Sequence, residues 1–382
     1  MRALALIDAQ KMVLSDLPLP EIGPSEVLLK VGAVGLCGTD FHIFEGSANY
    51  NFDDRGRLIP LAAQWQVLGH EFCGLVVEVG TAVSGLRVGD RVVVDQGLNC
   101  SSRGRHRSDW CEYCQSAASH QCLDYQELGI TGEQGALAEF VSIPAVNAIR
   151  IENDLALREA VLCEPLGCVM HACQAQMAAH ARYRFGGERP IKSVLICGAG
   201  PAGLLFTQYL RKVVGYSDLL LVSEPNALRR RLAEGFGATT IDPASVNIVE
   251  AIQELTHGEK VQYVIESAGV AGIFGQVPGI LRKQGTFLLY GHGHHGADVG
   301  VINSVQFLEP AIVAPCGASG SIDLNCRPVI TAQALELISA GIIDVSALIT
   351  HEYATLDAIP NAFTDDRFRH DYVKGIAAFQ DL

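Results

Sequence analysis

Residues Lys192–Leu210 read KSVLICGAGPAGLLFTQYL. The apolar run SVLIC has the length and β-branched content of a buried strand, and the segment from Pro201 onward has helical spacing. Between them Gly198, Gly200 and Gly203 fit G-x-G-x-x-G. Gly198 permits the tight turn, and Gly200 lets a pyrophosphate approach the backbone. Pro201 belongs to the same expected cofactor-binding turn, and Gly203 lets the helix pack close to the sheet. The helix N-terminus offers free N–H groups to phosphate. The next strand, DLLLVSEP, ends on Glu224, 21 positions after Gly203. That is close to the spacing of the acid that binds an adenosine ribose, and it favours NAD, because a carboxylate repels a 2′-phosphate. Arg229 stands about one helical turn further and reaches toward the same ribose. Arg229 and Arg230 are also the residues that would admit NADP.

Working outward, VQYVIESAG, GTFLLYG and PAIVAP supply more strands, and NALRRRLAEGFGA a helix closed by glycine. Strands alternating with helices give an α/β class, a doubly wound parallel sheet of the Rossmann kind. The first ~160 residues differ. EVLLKVGAVGLC, CGLVVEVG and DRVVVDQG alternate with turns, as expected of an antiparallel barrel or sandwich. After about Ile322 a helix, TAQALELISAGI, precedes mixed short elements.

The chain has 382 residues, enough for about two domains. A formal net charge of -14 argues against a nucleic-acid partner. The basic run Arg229–Arg231 reads as a solvated helix face. No run of ~18 apolar residues predicts a membrane span, and the first residues lack an export signal, so the cytoplasm is the expected compartment. There the 12 cysteines are expected as thiols or metal ligands rather than disulfides. Cys111, Cys114 and Cys122 have zinc-knuckle spacing, with Cys100 upstream, and four thiolates close a structural zinc site. Arg103, Arg105 and Arg107 between the first two read as a solvated loop. A second set is dispersed: Cys37-Gly-Thr39-Asp-Phe-His42, Gly69-His70-Glu71 and Glu164-Pro165. A thiolate, an imidazole and one or two carboxylates suit a zinc that keeps a position open. His292, His294 and His295 read as a Gly/His-rich turn without acidic partners.

CGTDFH, LGHEFCG, the four-cysteine lobe, EPL at Glu164–Leu166 and GAGPAG run in the order of the zinc-dependent medium-chain alcohol dehydrogenases, and the sequence resembles their polyol branch, which includes sorbitol, butanediol and threonine dehydrogenases. The resemblance implies a GroES-like catalytic domain over 1–160, a Rossmann domain over 161–318 and a return to the catalytic domain over 319–382. It implies Cys37, His70, Glu71 and Glu164 as ligands of a catalytic zinc, with Cys163 or Cys168 as an alternative to Glu164. Thr39 and His42 would relay a proton. Cys100, Cys111, Cys114 and Cys122 would hold the structural zinc, although the family usually has two residues where this chain has ten after Cys100. The segment from Ile43 to Leu68 is also longer than the family pattern. The implied activity is hydride transfer from a secondary alcohol, polyol or sugar-derived, to NAD, in a homodimer or homotetramer. A threonine-type 2-amino-3-hydroxy acid dehydrogenase and a non-catalytic dinucleotide sensor are the alternatives.

Overall fold

The computed structural model describes residues 1–294, 296–298 and 300–379. The chain forms two units. The first combines Met1–Gly167, Gly317–Gly341 and Ile349–Leu382, and the second Cys168–Cys316 with Ile342–Leu348.

The first unit is built on the strand Glu26–Gly35, whose residues are buried on both faces except at Glu26 and Lys30. It pairs antiparallel with Glu71–Val79, Phe140–Pro144 and the late strand Lys374–Ala378. Gly35 lies opposite Glu71 on one side and Ile376 on the other. Val27, Leu29, Val31, Phe72, Val76, Val92 and Ile143 fill the core beneath. Burying such side chains contributes roughly 1.5–3 kcal/mol each, which offsets the cost of closing a sheet from chain segments far apart in sequence.

The second unit is a parallel sheet in the order Thr239–Ile241, Leu219–Ser223, Ser193–Cys197, Val261–Glu266, Leu281–Leu289, Ala311–Val313. The strands are short apolar runs because helices cover them. Leu195, Leu221, Val264, Phe287, Ile252 and Val277 belong to its core. Asn226 and Asn247 cap the helices Ala227–Gly235 and Ile248–Leu255 by accepting two backbone N–H bonds each, at 2.9–3.3 Å. The order reverses between Ser193–Cys197 and Val261–Glu266, and ligands of such sheets bind at the carboxyl ends of the strands there.

Candidate active site

Cys37 is the N-cap of the helix Gly38–Glu45. Asp40, three residues on, returns its carboxylate to the Cys37 backbone N–H at 2.9 Å, which fixes the loop at the helix start. Its other oxygen accepts from Gly69 N at 3.2 Å and faces His70 Nδ1 at 3.3 Å. Gly69 has φ +92, and a Cβ there would meet Val34 and Leu137 at 2.9–3.1 Å, so glycine is required for the turn that presents His70. Glu71 opens the next strand. One ligand atom each from Cys37, His70 and Glu71 lies within 4.8 Å of the others. A carboxylate on Nδ1 is the usual partner of a metal-ligating imidazole, and it leaves Nε2 for the metal.

Lys374 is buried and donates to Glu71 at 2.7 Å, with the second carboxylate oxygen 2.6 Å away. Burial works against both neighbouring cations, yet Asp40 and Cys37 hold the His70 imidazole well above its ordinary value, and Glu71 raises Lys374. The pocket therefore attracts positive charge. A soft thiol, an imidazole and a carboxylate, backed by a second buried acid, fit zinc with an open position.

Glu164 is buried but lies outside this group; its Oε1 accepts from Gln96 Nε2 at 2.8 Å. Cys163 is fully buried, and burial pushes its thiol well up. Thr39 and His42 occupy one helix three residues apart, which places them on neighbouring positions of its surface. The His42 ring is a third exposed, with Nδ1 3.4 Å from Ser47 Oγ and 3.8 Å from Glu45.

Cys100, Cys111, Cys114 and Cys122 bring their sulfurs together. Cys122 is 3.7 Å from Cys100 and 3.8 Å from Cys111. A disulfide needs about 2.05 Å. A tetrahedron with metal–sulfur bonds of about 2.3 Å has edges of about 3.8 Å. The spacing is that of a metal cage. Hydrogen bonds from the Cys114 and Leu123 backbone overcome burial and pull the Cys111 thiol down to about 6. The ten residues after Cys100 double back, with Arg105 N bonded to Cys100 O and Trp110 Nε1 to Arg105 O. All three arginines are exposed, as expected of a solvated loop, and each is also tied to the lobe. Arg105 reaches the Cys100 sulfur at 3.7 Å and pairs with Asp124, Arg103 binds Asp124 O and Gln126, and Arg107 covers the Trp110 ring at 4.7 Å. Four metal-bound thiolates would concentrate negative charge, and the guanidinium of Arg105 stands where it would answer it.

In the second unit Gly198 has φ +94, and a Cβ on Gly203 would lie 2.0 Å from Gly198 O. Gly200 is the N-cap of the helix Pro201–Lys212, with Pro201 at its first turn and open space above Gly200. Phosphate fits that opening against the free N–H groups. Glu224 is buried beside it and accepts from Ala199 N at 2.7 Å and Asn226 N at 2.8 Å. The Arg229–Arg231 run is not a uniformly solvated face. Arg231 is exposed, but Arg230 pairs with Asp242 at 3.1 Å and binds the Glu224 and Pro225 carbonyls, and Arg229 is half-buried. The His turn also differs from expectation, since His294 has an acidic partner, Glu266, at 2.7 Å. His295 lies outside the described residues.

The alcohol dehydrogenase GroES-like domain matches residues 23–153, and the zinc-binding dehydrogenase domain residues 201–336. L-threonine 3-dehydrogenase of Pyrococcus furiosus is 30% identical over 351 residues, 92% of this chain and 90% of its own length. The chain belongs to the zinc-dependent medium-chain dehydrogenase/reductase family. A putative zinc-binding dehydrogenase from Sinorhizobium meliloti 1021, solved bound to NADP, superimposes with a TM-score of 0.78 at 28% identity, covering 99% of this chain and 98% of its own. The 2R,3R-butanediol dehydrogenase of Bacillus subtilis shares the fold, with a TM-score of 0.77 at 22% identity over 99% of each chain.

As a member of this family the chain is a zinc-binding, NAD(P)-dependent oxidoreductase. Sequence reasoning overlooked three residues that contact the candidate ligands. Asp40 stands inside CGTD, and its position three after the cap residue was the available signal. Gln96 and Lys374 carry no local motif. Among the described residues no helix is long and apolar enough to cross a membrane.

Proposed function

We propose that this dehydrogenase oxidises a secondary alcohol, carried on a polyol or sugar-derived molecule, to a ketone with NAD. The observation that carries the reading is the convergence of Cys37, His70 and Glu71, with Asp40 on the imidazole and Lys374 on the carboxylate. When bound, zinc supplies a Lewis acid at the alcohol oxygen and NAD a hydride acceptor. The chain's own residues do the rest. Cys37, His70 and Glu71 would hold the metal, and Glu164, held by Gln96, would be a further ligand to it. Asp40 fixes the imidazole tautomer. The Thr39 hydroxyl accepts the substrate's hydroxyl proton, and His42 passes it to solvent. Gly198, Gly200, Pro201 and Gly203 would cradle the pyrophosphate. Glu224 favours NAD, and the engagement of Arg230 with Asp242 supports this by leaving one cation fewer for a 2′-phosphate.

A second reading, oxidation of a 2-amino-3-hydroxy acid, is favoured by the naming of relatives such as the Pyrococcus furiosus enzyme as L-threonine 3-dehydrogenases. Initial rates with polyols, vicinal diols and L-threonine, each with NAD and NADP, test both. Turnover of L-threonine alone would replace the polyol reading. No turnover of any alcohol by fully zinc-loaded protein would remove both. We also infer a cytoplasmic homodimer or homotetramer. The feature in support is the sheet-edge strand Ala311–Val313 with Ile312 exposed. Light scattering of the purified protein measures the assembly.

A further inference from the structure

Glu266 ends the strand Val261–Glu266 and is completely buried at the point where the parallel sheet reverses its order. Its Oε1 accepts from Ala268 N at 2.9 Å and Gly269 N at 2.8 Å. Its Oε2 takes the His294 ring at 2.7 Å, and its carbonyl accepts Tyr290 N and Gly291 N at 2.9 Å each. One residue thus ties the loops that follow two adjacent strands. Glycine makes the tie possible. A Cβ on Gly291 would lie 2.6 Å from Glu266 Oε2, and one on Gly269, where φ is +69, would lie 1.9 Å from His292 O. The glycine-rich turn abuts the same place, since a Cβ on Gly198 would meet Ala268 at 3.0–3.2 Å.

The carboxylate can only accept, so Nε2 of His294 carries a proton and the outward nitrogen is Nδ1. Phe274 steadies the ring edge-on at 4.8 Å, and the side chain keeps a fifth of its surface open. No described residue bonds Nδ1. A dinucleotide spans this kind of crevice with one nucleoside on each side of the reversal. Glu224 marks the adenosine side, so His294 stands on the other.

We propose that Glu266 and His294 form a positioning pair for the nicotinamide nucleoside, in which His294 Nδ1 bonds a hydroxyl of the nicotinamide-side ribose. A hydroxyl both donates and accepts, so it satisfies Nδ1 of a neutral or a protonated ring. The pair also sets the height of the loop that bounds this half of the crevice. This inference rests on the reading of the chain as an NAD-binding dehydrogenase.

Titration calorimetry of the full chain with AMP, ADP, ADP-ribose and NADH tests it. In His294→Ala, ADP-ribose and NADH should bind roughly 3- to 10-fold more weakly, the scale of one lost hydrogen bond. AMP and ADP should bind as in the parent, while the melting temperature falls, because Glu266 Oε2 is left buried without its partner. His294→Gln, which keeps a hydrogen-bonding tip, should recover part of the loss. Equal weakening of all four ligands, or unaltered binding of ADP-ribose and NADH, would overturn the assignment. Failure of the parent protein to bind AMP or NADH would instead overturn the dehydrogenase reading.

Discussion

Lys374 and Glu71 are 303 residues apart in the chain, yet the ammonium donates to the carboxylate at 2.7 Å. The strands that carry them are not neighbours in the sheet; both pair with Glu26–Gly35, which runs between. Strands two apart in a sheet are separated by about 10 Å. Gly35 leaves the gap through which the side chains meet. Lys374 makes the buried acid tolerable before a metal arrives. Replacing it, as in Lys374→Met, leaves Glu71 uncompensated and should cost about 3–5 kcal/mol. Thermal melting should show a marked drop that added zinc partly restores, because a divalent cation answers the same charge. A variant melting like the parent, with or without zinc, contradicts this account.

Gly35 makes a second expectation concrete. A Cβ there would sit 2.1 Å from Glu71 Oε2 and 3.1 Å from its Cβ. Gly35→Ala must displace the Glu71 side chain, at a cost of roughly 1–3 kcal/mol for overpacking. Metal analysis of the purified variant should find less than the parent's zinc, while the four-cysteine site keeps its own. Parental zinc content and activity would show that Glu71 plays no part in holding the metal.

His42 tests the proton path. It is a third exposed and is not one of the clustered ligand residues. His42→Ala should therefore keep its zinc while turnover falls, roughly 10²-fold or more by the usual worth of a positioned base. Alcohol oxidation should then require higher pH, since hydroxide in solvent must take the proton. An unchanged pH–rate profile removes His42 from the path.

The four-cysteine lobe predicts its own phenotype. Cys122 touches two of the other three sulfurs, so Cys122→Ser should open the cage. Elemental analysis should then give one zinc per chain instead of two. Limited proteolysis should cut between Cys100 and Cys122, where Cys100, Trp110, Cys114 and Cys122 supply the buried local core. Two zincs per chain in that variant would exclude Cys122 as a ligand.

The parallel sheet was legible because its signals are local: SVLIC is a strand, GAGPAG a turn, and both keep their meaning within a few residues. The cysteine cage was nearly as legible, since three ligands fall within 12 positions, Cys111 to Cys122. What the sequence hid depends on distant pairing. Lys374 acquires its role only from strand order, and Gln96 meets Glu164 68 positions away. Arg105 looked like a loop residue because charge patterning says nothing about a sulfur five residues back. His294 looked partnerless because its acid lies 28 positions earlier, at the end of the strand Val261–Glu266.

The late strand Lys374–Ala378 has a consequence for biosynthesis. A ribosome delivers residues 168–316, which hold every strand of the parallel sheet, as one unbroken run, so most of the dinucleotide-binding unit can fold while translation continues. The other unit has to wait with its central sheet unfinished until Lys374–Ala378 has been made. During that interval Glu71 lacks Lys374, and the thiol of Cys37 and the imidazole of His70 stand unsealed. Nascent chains stalled before residue 374 should be the form most open to oxidants and stray metals.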